Sequence, residues 1–270
     1  MAYRSTGRTN AELARNMHRQ GLITSDKVLQ AFLSIDRGHF VPQDCRDRAY
    51  ADEPVHSGVF HLSAPHMYAT VLETLDLSEG LSFLNIGSGT GYLSYLVAKI
   101  IGPFNFNHGI EQHKELVEHA LSRCARYPEY REFNFIRFRC GDAFTLNPLK
   151  KRNNNRSNDN DGTRYDRIYV GGGVHEDATL IFRELLNIGG IMVVPRNEEL
   201  VCIQKVCNQK TSENNYISRV ITGVRFEQLK EPDPKLLRLI KNVDLAEENE
   251  IQQVLVSPVF GVTTAKIIRV

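Results

Sequence analysis

In residues 82–91, SFLNIGSGTG, an apolar run gives way to glycines at every second position: Gly87, Gly89 and Gly91. Phe83, Leu84 and Ile86 read as a buried strand, and residues 92–98, YLSYLVA, resume with helical character. Strand, glycine turn and helix form the first unit of a nucleotide-type α/β fold. A bulky ligand can then lie against bare backbone at the C-terminal end of the strand. A dinucleotide fingerprint needs its third glycine one residue later, where this chain has Tyr92. A G-x-G-x-G turn instead suits S-adenosylmethionine, which carries no phosphate.

Residues 106–111 read as the second strand, with Glu111 at its C-terminal end. A carboxylate about twenty residues beyond the glycines can accept hydrogen bonds from the ribose hydroxyls of an adenosyl ligand. A helix follows through Leu116, Val117, Ala120 and Leu121, then a third strand over 133–139. Asp142 turns away from that strand, either as an acceptor for the adenine amino group or as an Asx-turn. The fourth strand is expected over 166–170, a helix over 176–187 stopped by Gly189-Gly190, and the fifth strand over 191–195. Strands separated by helix-length segments predict a parallel sheet covered on both faces. Residues 200–206 and 216–222 alternate instead, which predicts an antiparallel hairpin at the sheet edge.

Upstream, Thr9 or Asn10 can cap a first helix carrying Leu13, Ala14 and Met17, with Gly21 as its stop. Thr24 or Ser25 can cap a second, which ends near Gly38. Residues 39–62 are irregular and rich in Pro, Asp and His, the character of a functional loop. In the following Ser63-Ala64-Pro65-His66-Met67, Ser63 suits an N-cap and Pro65 a first helical turn. Residues 150–162, KKRNNNRSNDNDG, lack apolar side chains and are expected to be a mobile insertion. A formal charge of +1 gives no reason to expect nucleic acid or anionic lipid as a partner. The five cysteines include no C-x-x-C pair, no apolar leader or membrane-length run is present, and a reducing cytoplasmic compartment is expected. His56, His61 and His66 have poor spacing for a shared helical metal site, so no metal is expected.

Over roughly residues 9–230 the chain resembles the protein-L-isoaspartate (D-aspartate) O-methyltransferase family. The matching pieces include Asp26-Lys27-Val28, Ile35-Asp36-Arg37, Ser63-Ala64-Pro65-His66-Met67 and the glycine turn. Gly141-Asp142, Tyr165-Asp166, Gly189-Gly190 and Gly223-Val224-Arg225-Phe226 continue the match. The resemblance implies a Rossmann-like class I S-adenosylmethionine-dependent methyltransferase fold: a mostly parallel, doubly wound sheet, an antiparallel C-terminal edge and an N-terminal helical segment. The methyltransferase domain would span 1–230, with the mobile insertion at 150–163, and 231–270 would be an extension without an assigned role. Two departures stand out. Asn85 occupies a position where the family usually has Asp. Residues 81–86 and 102–104 also resemble a side branch whose members carry a ubiquitin-ligase adaptor region, which leaves open a non-catalytic cofactor-binding adaptor.

The resemblance implies S-adenosyl-L-methionine as donor, held by Asn85, Gly87, Ser88, Gly89, Gly91, Glu111 and Asp142. Isoaspartyl peptides and proteins would be the acceptors, and the chain is expected to act as a monomer. Ser63 would donate its hydroxyl to the substrate carboxylate, with Ala64, Pro65, His66, Val224 and Arg225 lining the peptide groove. A carboxylate is already ionised near neutral pH and needs no general base. Catalysis then reduces to positioning and desolvation.

Overall fold

The computed structural model describes residues 5–146, 149–150, 162–207, 215–224, 226 and 229. The chain divides into Met1–Leu229 and Lys230–Val270, and all described residues belong to the first unit. Most of the expected insertion, Arg225 and the extension over 231–270 lie outside the described residues.

Asn10–Arg19 (α1) and Asp26–Ser34 (α2) come first, followed by the hairpin Val55–Ser57 (β1) and Phe60–Leu62 (β2). Pro65–Leu75 (α3) leads to Phe83–Ile86 (β3), Tyr92–Ile101 (α4), Asn107–Glu111 (β4), Lys114–Arg126 (α5) and Arg137–Cys140 (β5). The short pair Leu149–Lys150 (β6) and Gly162–Thr163 (β7) precedes Tyr165–Val170 (β8), Glu176–Arg183 (α6) and Leu186–Arg196 (β9). Glu199–Lys205 (β10) and Tyr216–Gly223 (β11) follow. The main sheet has 7 strands in the order β11-β10-β9-β8-β3-β4-β5. From β5 to β9 the pairings are parallel, and β10 runs antiparallel to both neighbours, the expected edge hairpin. Every residue of β3 is buried, as a central strand covered on both faces must be.

The N-terminal helices belong to the same core. Phe32 and Phe40 lie 6.5 and 5.2 Å, centroid to centroid, from Tyr92 at the start of α4. Tyr95, one turn later, packs against Phe40, Tyr130, Phe133 and Phe138. Thr9 caps α1 as expected, accepting from the Glu12 N–H at 3.2 Å. Ser25 stands at the N-cap of α2, yet its side chain makes no capping bond. Glu73 of α3 takes the Thr24 and Ser25 N–H groups instead, at 2.8 and 2.9 Å.

Four expectations need correction. Residues 39–62 are not without structure, because β1 and β2 pair there and Gln43–Arg48 forms a 3-10 helix. The third strand begins at Arg137 rather than 133. Pro128–Phe133 is a 3-10 turn whose Tyr130 and Phe133 fill the core, so the aromatic run reflects packing rather than strand. Helix α6 ends at Arg183, and β9 already starts at Leu186. The glycines do not stop a helix: Tyr165 pairs with Leu186 and Arg167 with Ile191, so the residues between bulge out of the ladder, with Gly189 at φ 80°. Last, Ala64 and not Ser63 is the N-cap of α3, and no side chain caps that helix.

Asp166 fastens the centre of the sheet. Its carboxylate accepts from the Ser82 N–H and hydroxyl, both at 2.8 Å, and from Asn187 Nδ2 at 2.8 Å. Burial opposes its charge, but these donors outweigh burial and hold it below the usual carboxylate range. A carboxyl depressed on folding contributes stability above its unfolded pKa and loses it as pH falls through the folded one. Asp166→Asn should therefore destabilise the protein at pH 7, and its deficit against wild type should shrink as pH is lowered through that window in denaturant titrations. Gly91 (φ 86°) tests the packing of the turn. A Cβ there would fall 2.8 Å from Ala120 Cβ and 3.0 Å from Phe138 Cζ. Gly91→Ala should cost roughly 1–3 kcal/mol in an unfolding titration.

Candidate active site

The order of the sheet puts a crevice beside β3, where its connections leave toward β4 on one side and β8 lies on the other. In open α/β sheets ligands bind outside the carboxyl ends of the strands at such a point. The glycine turn sits there. Gly87 and Ser88 donate backbone N–H groups to Ile110 O at 2.9 and 3.0 Å, so the turn is sewn to β4. Gly171, at the end of β8, donates to Ile86 O at 2.7 Å. A Cβ on Gly171 would lie 2.6 Å from Gly87 O, so this second glycine, which the sequence reading did not single out, is as constrained as the turn itself.

Glu111 is buried at the end of β4. Its two oxygens accept from the Gly89 N–H and the His113 N–H, each at 3.0 Å. A carboxylate offers about four acceptor sites, so one lone pair on each oxygen remains for a ribose hydroxyl. Asn85 is 1% exposed and donates from Nδ2 to Ser94 Oγ at 3.0 Å. Its Oδ1, like the buried Ser88 Oγ, has no hydrogen-bond partner among the described residues. Asp142 forms the Asx-turn: it accepts from the Phe144 N–H at 2.9 Å and caps a 3-10 turn.

The hairpin brings the second half of the site to the first. A Cβ on Gly89 would lie 3.6 Å from His61 O, so β2 runs past the glycine turn. Ser63 is the second residue beyond that carbonyl. The Tyr68 hydroxyl lies against both its backbone N–H, at 3.2 Å, and its side chain. Ala64 is 4% exposed and Pro65 is buried. His66 is tied to Asp52: its backbone N–H and its Nδ1 both lie 2.9 Å from Asp52 Oδ1. Val224 donates its N–H to Glu198 O at 2.7 Å and packs partly buried on the core. Beyond it the chain returns to the crevice, where Leu229 donates to Gly173 O at 2.8 Å. Leu229 Cδ2 lies 3.6 Å from where a Gly87 Cβ would be. His56 and His61 face each other across the hairpin with Nδ1 atoms 2.9 Å apart.

A family model described as protein-L-isoaspartate (D-aspartate) O-methyltransferase matches residues 8–231. The chain belongs to this family. A protein-L-isoaspartate O-methyltransferase of Methanothermobacter thermautotrophicus is 31% identical over 218 residues, which are 80% of this chain and 93% of the relative. The enzyme of that name from Methanopyrus kandleri is 33% identical over 189 residues, covering 70% of this chain and 76% of its own. Among solved structures, a Plasmodium falciparum protein assigned the same activity, in complex with S-adenosyl-L-homocysteine, superposes with a TM-score of 0.67 at 26% identity. That superposition covers 83% of this chain and 99% of the other. The fold is the Rossmann-like methyltransferase fold that the family resemblance implies.

Asp52, Tyr68, Gly171 and Leu229, which touch the predicted site residues His66, Ser63 and Gly87, were not legible as such in the sequence. For Asp52 the available signal was its place in a long acidic, proline-containing stretch just ahead of Ser63. Glu111 gives the sharpest test of the crevice. Glu111→Ala should weaken binding of S-adenosylhomocysteine by about 1–3 kcal/mol, because a charged acceptor is lost. It should also lower the melting temperature, since the Gly89 and His113 N–H groups lose their partner. Calorimetry giving wild-type affinity alongside a lowered melt would leave Glu111 a purely structural role.

Proposed function

We propose that this protein is a protein-L-isoaspartate O-methyltransferase, methylating the free carboxylate of isoaspartyl and D-aspartyl residues in damaged proteins as a repair step. The observation that carries the reading is the family match over 8–231, which takes in the glycine turn, the Ser63–Met67 segment and Val224 together. The glycine turn and Val224 lie at the same end of the sheet, and the hairpin ahead of Ser63 runs past Gly89, which supports the reading. The named relatives are all called methyltransferases, which favours an enzyme over an adaptor.

The crevice fits S-adenosylmethionine. Asn85 Oδ1 and Ser88 Oγ are buried polar atoms without partners among the described residues, set one residue either side of the Ile86-Gly87 bond. Asn85 Oδ1 can accept from an ammonium, although a neutral amide pairs with it more weakly than the carboxylate usual in the family. Glu111 would hold the ribose hydroxyls, and Asp142 the adenine amino group beside its Asx-turn. When bound, S-adenosylmethionine supplies a methyl group on a sulfonium, an electrophile that a carboxylate can attack directly.

The chain itself therefore has to place an ionised carboxylate, not deprotonate it. Ser63 suits that role. Ala64 holds the N-cap position, so the Ser63 hydroxyl is not engaged as a helix cap; its side-chain partner is the Tyr68 hydroxyl, from which its proton would turn to one carboxylate oxygen. A neutral donor orients the carboxylate while leaving its nucleophilicity largely intact. Val224 and Arg225 would line the peptide groove, with His66 on its other side. No helix among the described residues is long and apolar enough to cross a membrane.

The experiment is methyl transfer from labelled S-adenosylmethionine to an isoaspartyl peptide, with the aspartyl peptide as control. Wild-type protein that binds the donor and never labels the isoaspartyl peptide would overturn the reading and favour the adaptor. Ser63→Ala should lower turnover about 10- to 100-fold, the loss of one hydrogen bond to a charged group. Donor affinity should stay near wild type, and the melt should move little, because no cap is lost and the Tyr68 hydroxyl keeps the Ser63 backbone N–H. An unchanged turnover would remove Ser63 from the reaction.

A further inference from the structure

Asp52 has no place in the reading above, yet it is the most heavily bonded carboxylate near the site. Its side chain is 1% exposed, while the His66 side chain it holds is 36% exposed. Oδ1 accepts from both the backbone N–H and Nδ1 of His66, at 2.9 Å each, and Oδ2 accepts from Ser5 Oγ at 2.5 Å. The Asp52 N–H in turn donates to Thr6 Oγ1 at 3.2 Å. Burial pushes the carboxyl up, but the donors from His66 and Ser5 outweigh it and hold Asp52 below the usual range.

An ionised carboxylate can only accept hydrogen bonds. Nδ1 of His66 must therefore carry a proton, and in the neutral ring Nε2 must be bare. Because the same oxygen grips the backbone N–H and the ring, the side chain is fixed at both ends of its rotatable bonds. With Nδ1 held against the buried carboxylate, the opposite edge of this partly exposed ring bears Nε2, three residues from Ser63 on the first turn of α3.

We propose that Asp52 is a positioning residue that acts through His66: it fixes the Nδ1–H tautomer, so that Nε2 meets the substrate as a hydrogen-bond acceptor. This rests on the isoaspartyl methyltransferase reading and divides the labour within it. Ser63 donates to the substrate carboxylate, and His66 accepts from a peptide N–H of the same substrate. A bare nitrogen is repelled by the carboxylate and attracted by an N–H, so the two side chains together define which end of the substrate goes where.

The test has two arms on the full chain. In the first, ring nitrogens of ¹⁵N-histidine-labelled wild type are read by NMR at pH 8, with His66 assigned by its loss in His66→Ala. A protonated Nδ1 and bare Nε2 are expected; a proton on Nε2 overturns the proposal. This arm needs no activity, so it stands apart from any failure to methylate isoaspartyl peptides, which would sink the functional reading instead. The second arm is a double-mutant cycle. Asp52→Asn should lower kcat/KM about 10- to 100-fold, the scale of a displaced contact, with donor affinity unchanged. In the His66→Ala background the same substitution should cost less than about 2-fold. Full additivity would mean that Asp52 acts independently of His66, and the proposal would fall.

Discussion

The Glu111 carboxylate and the Gly89 N–H, 3.0 Å apart, join the end of β4 to the middle of the glycine turn. Much of the molecule is arranged to make that contact hold. Ile110 O takes the two preceding N–H groups of the turn, so strand and turn share consecutive bonds. The absence of a side chain at Gly91 lets α4 settle against Ala120 and Phe138 of the neighbouring units. Tyr92 and Tyr95, the first inward side chains of α4, then recruit Phe32 and Phe40, and with them the N-terminal helices. A ligand site made of bare backbone is thus paid for by a dense aromatic core on its reverse side.

The elements legible in the sequence are those in which local pattern and final environment agree. β3, α4 and β4 carry their apolar residues in continuous or periodic runs and end at glycine or acid, and they occur where the pattern puts them. The errors arise where tertiary partners overrule local chemistry. Ser63 precedes a proline, as a cap would, but the helix begins one residue later, which leaves its hydroxyl to other uses. Gly189 and Gly190 have the composition of a helix stop, yet Asn187 bonds to Asp166 and draws the segment into β9 as a bulge. Phe133 and Phe135 suit a strand, and the core claims them from a turn.

The site divides along the same line. Gly87, Gly89, Gly91 and Glu111 follow each other at fixed short spacing, so their meeting could be read from the chain. The Ser63 segment meets them only because a hairpin of three-residue strands carries His61 past Gly89, and no spacing rule contains that step. Asp52 is harder still, because its partners are fourteen residues ahead and forty-seven behind in the chain. Asp142 had two readings in the sequence; the backbone adopts the Asx-turn, and a carboxylate that accepts one N–H keeps further acceptor sites beside it.

The grip of Asp52 on Ser5 has one more consequence. Ser5 and Thr6 are fastened to the same residue that orients the His66 ring, while Asn16 Nδ2 donates to Thr6 O and Gly7 to Tyr50 O. The first described residues and the His66 ring, which would face the substrate in the proposed function, are therefore two ends of one linkage through Asp52. Couplings of this kind are reciprocal. Whatever frees the N-terminal segment weakens the hold on the ring, and whatever engages the ring slows amide hydrogen exchange at residues 5–7. A segment far from the glycine turn in sequence thereby becomes a reporter of occupancy.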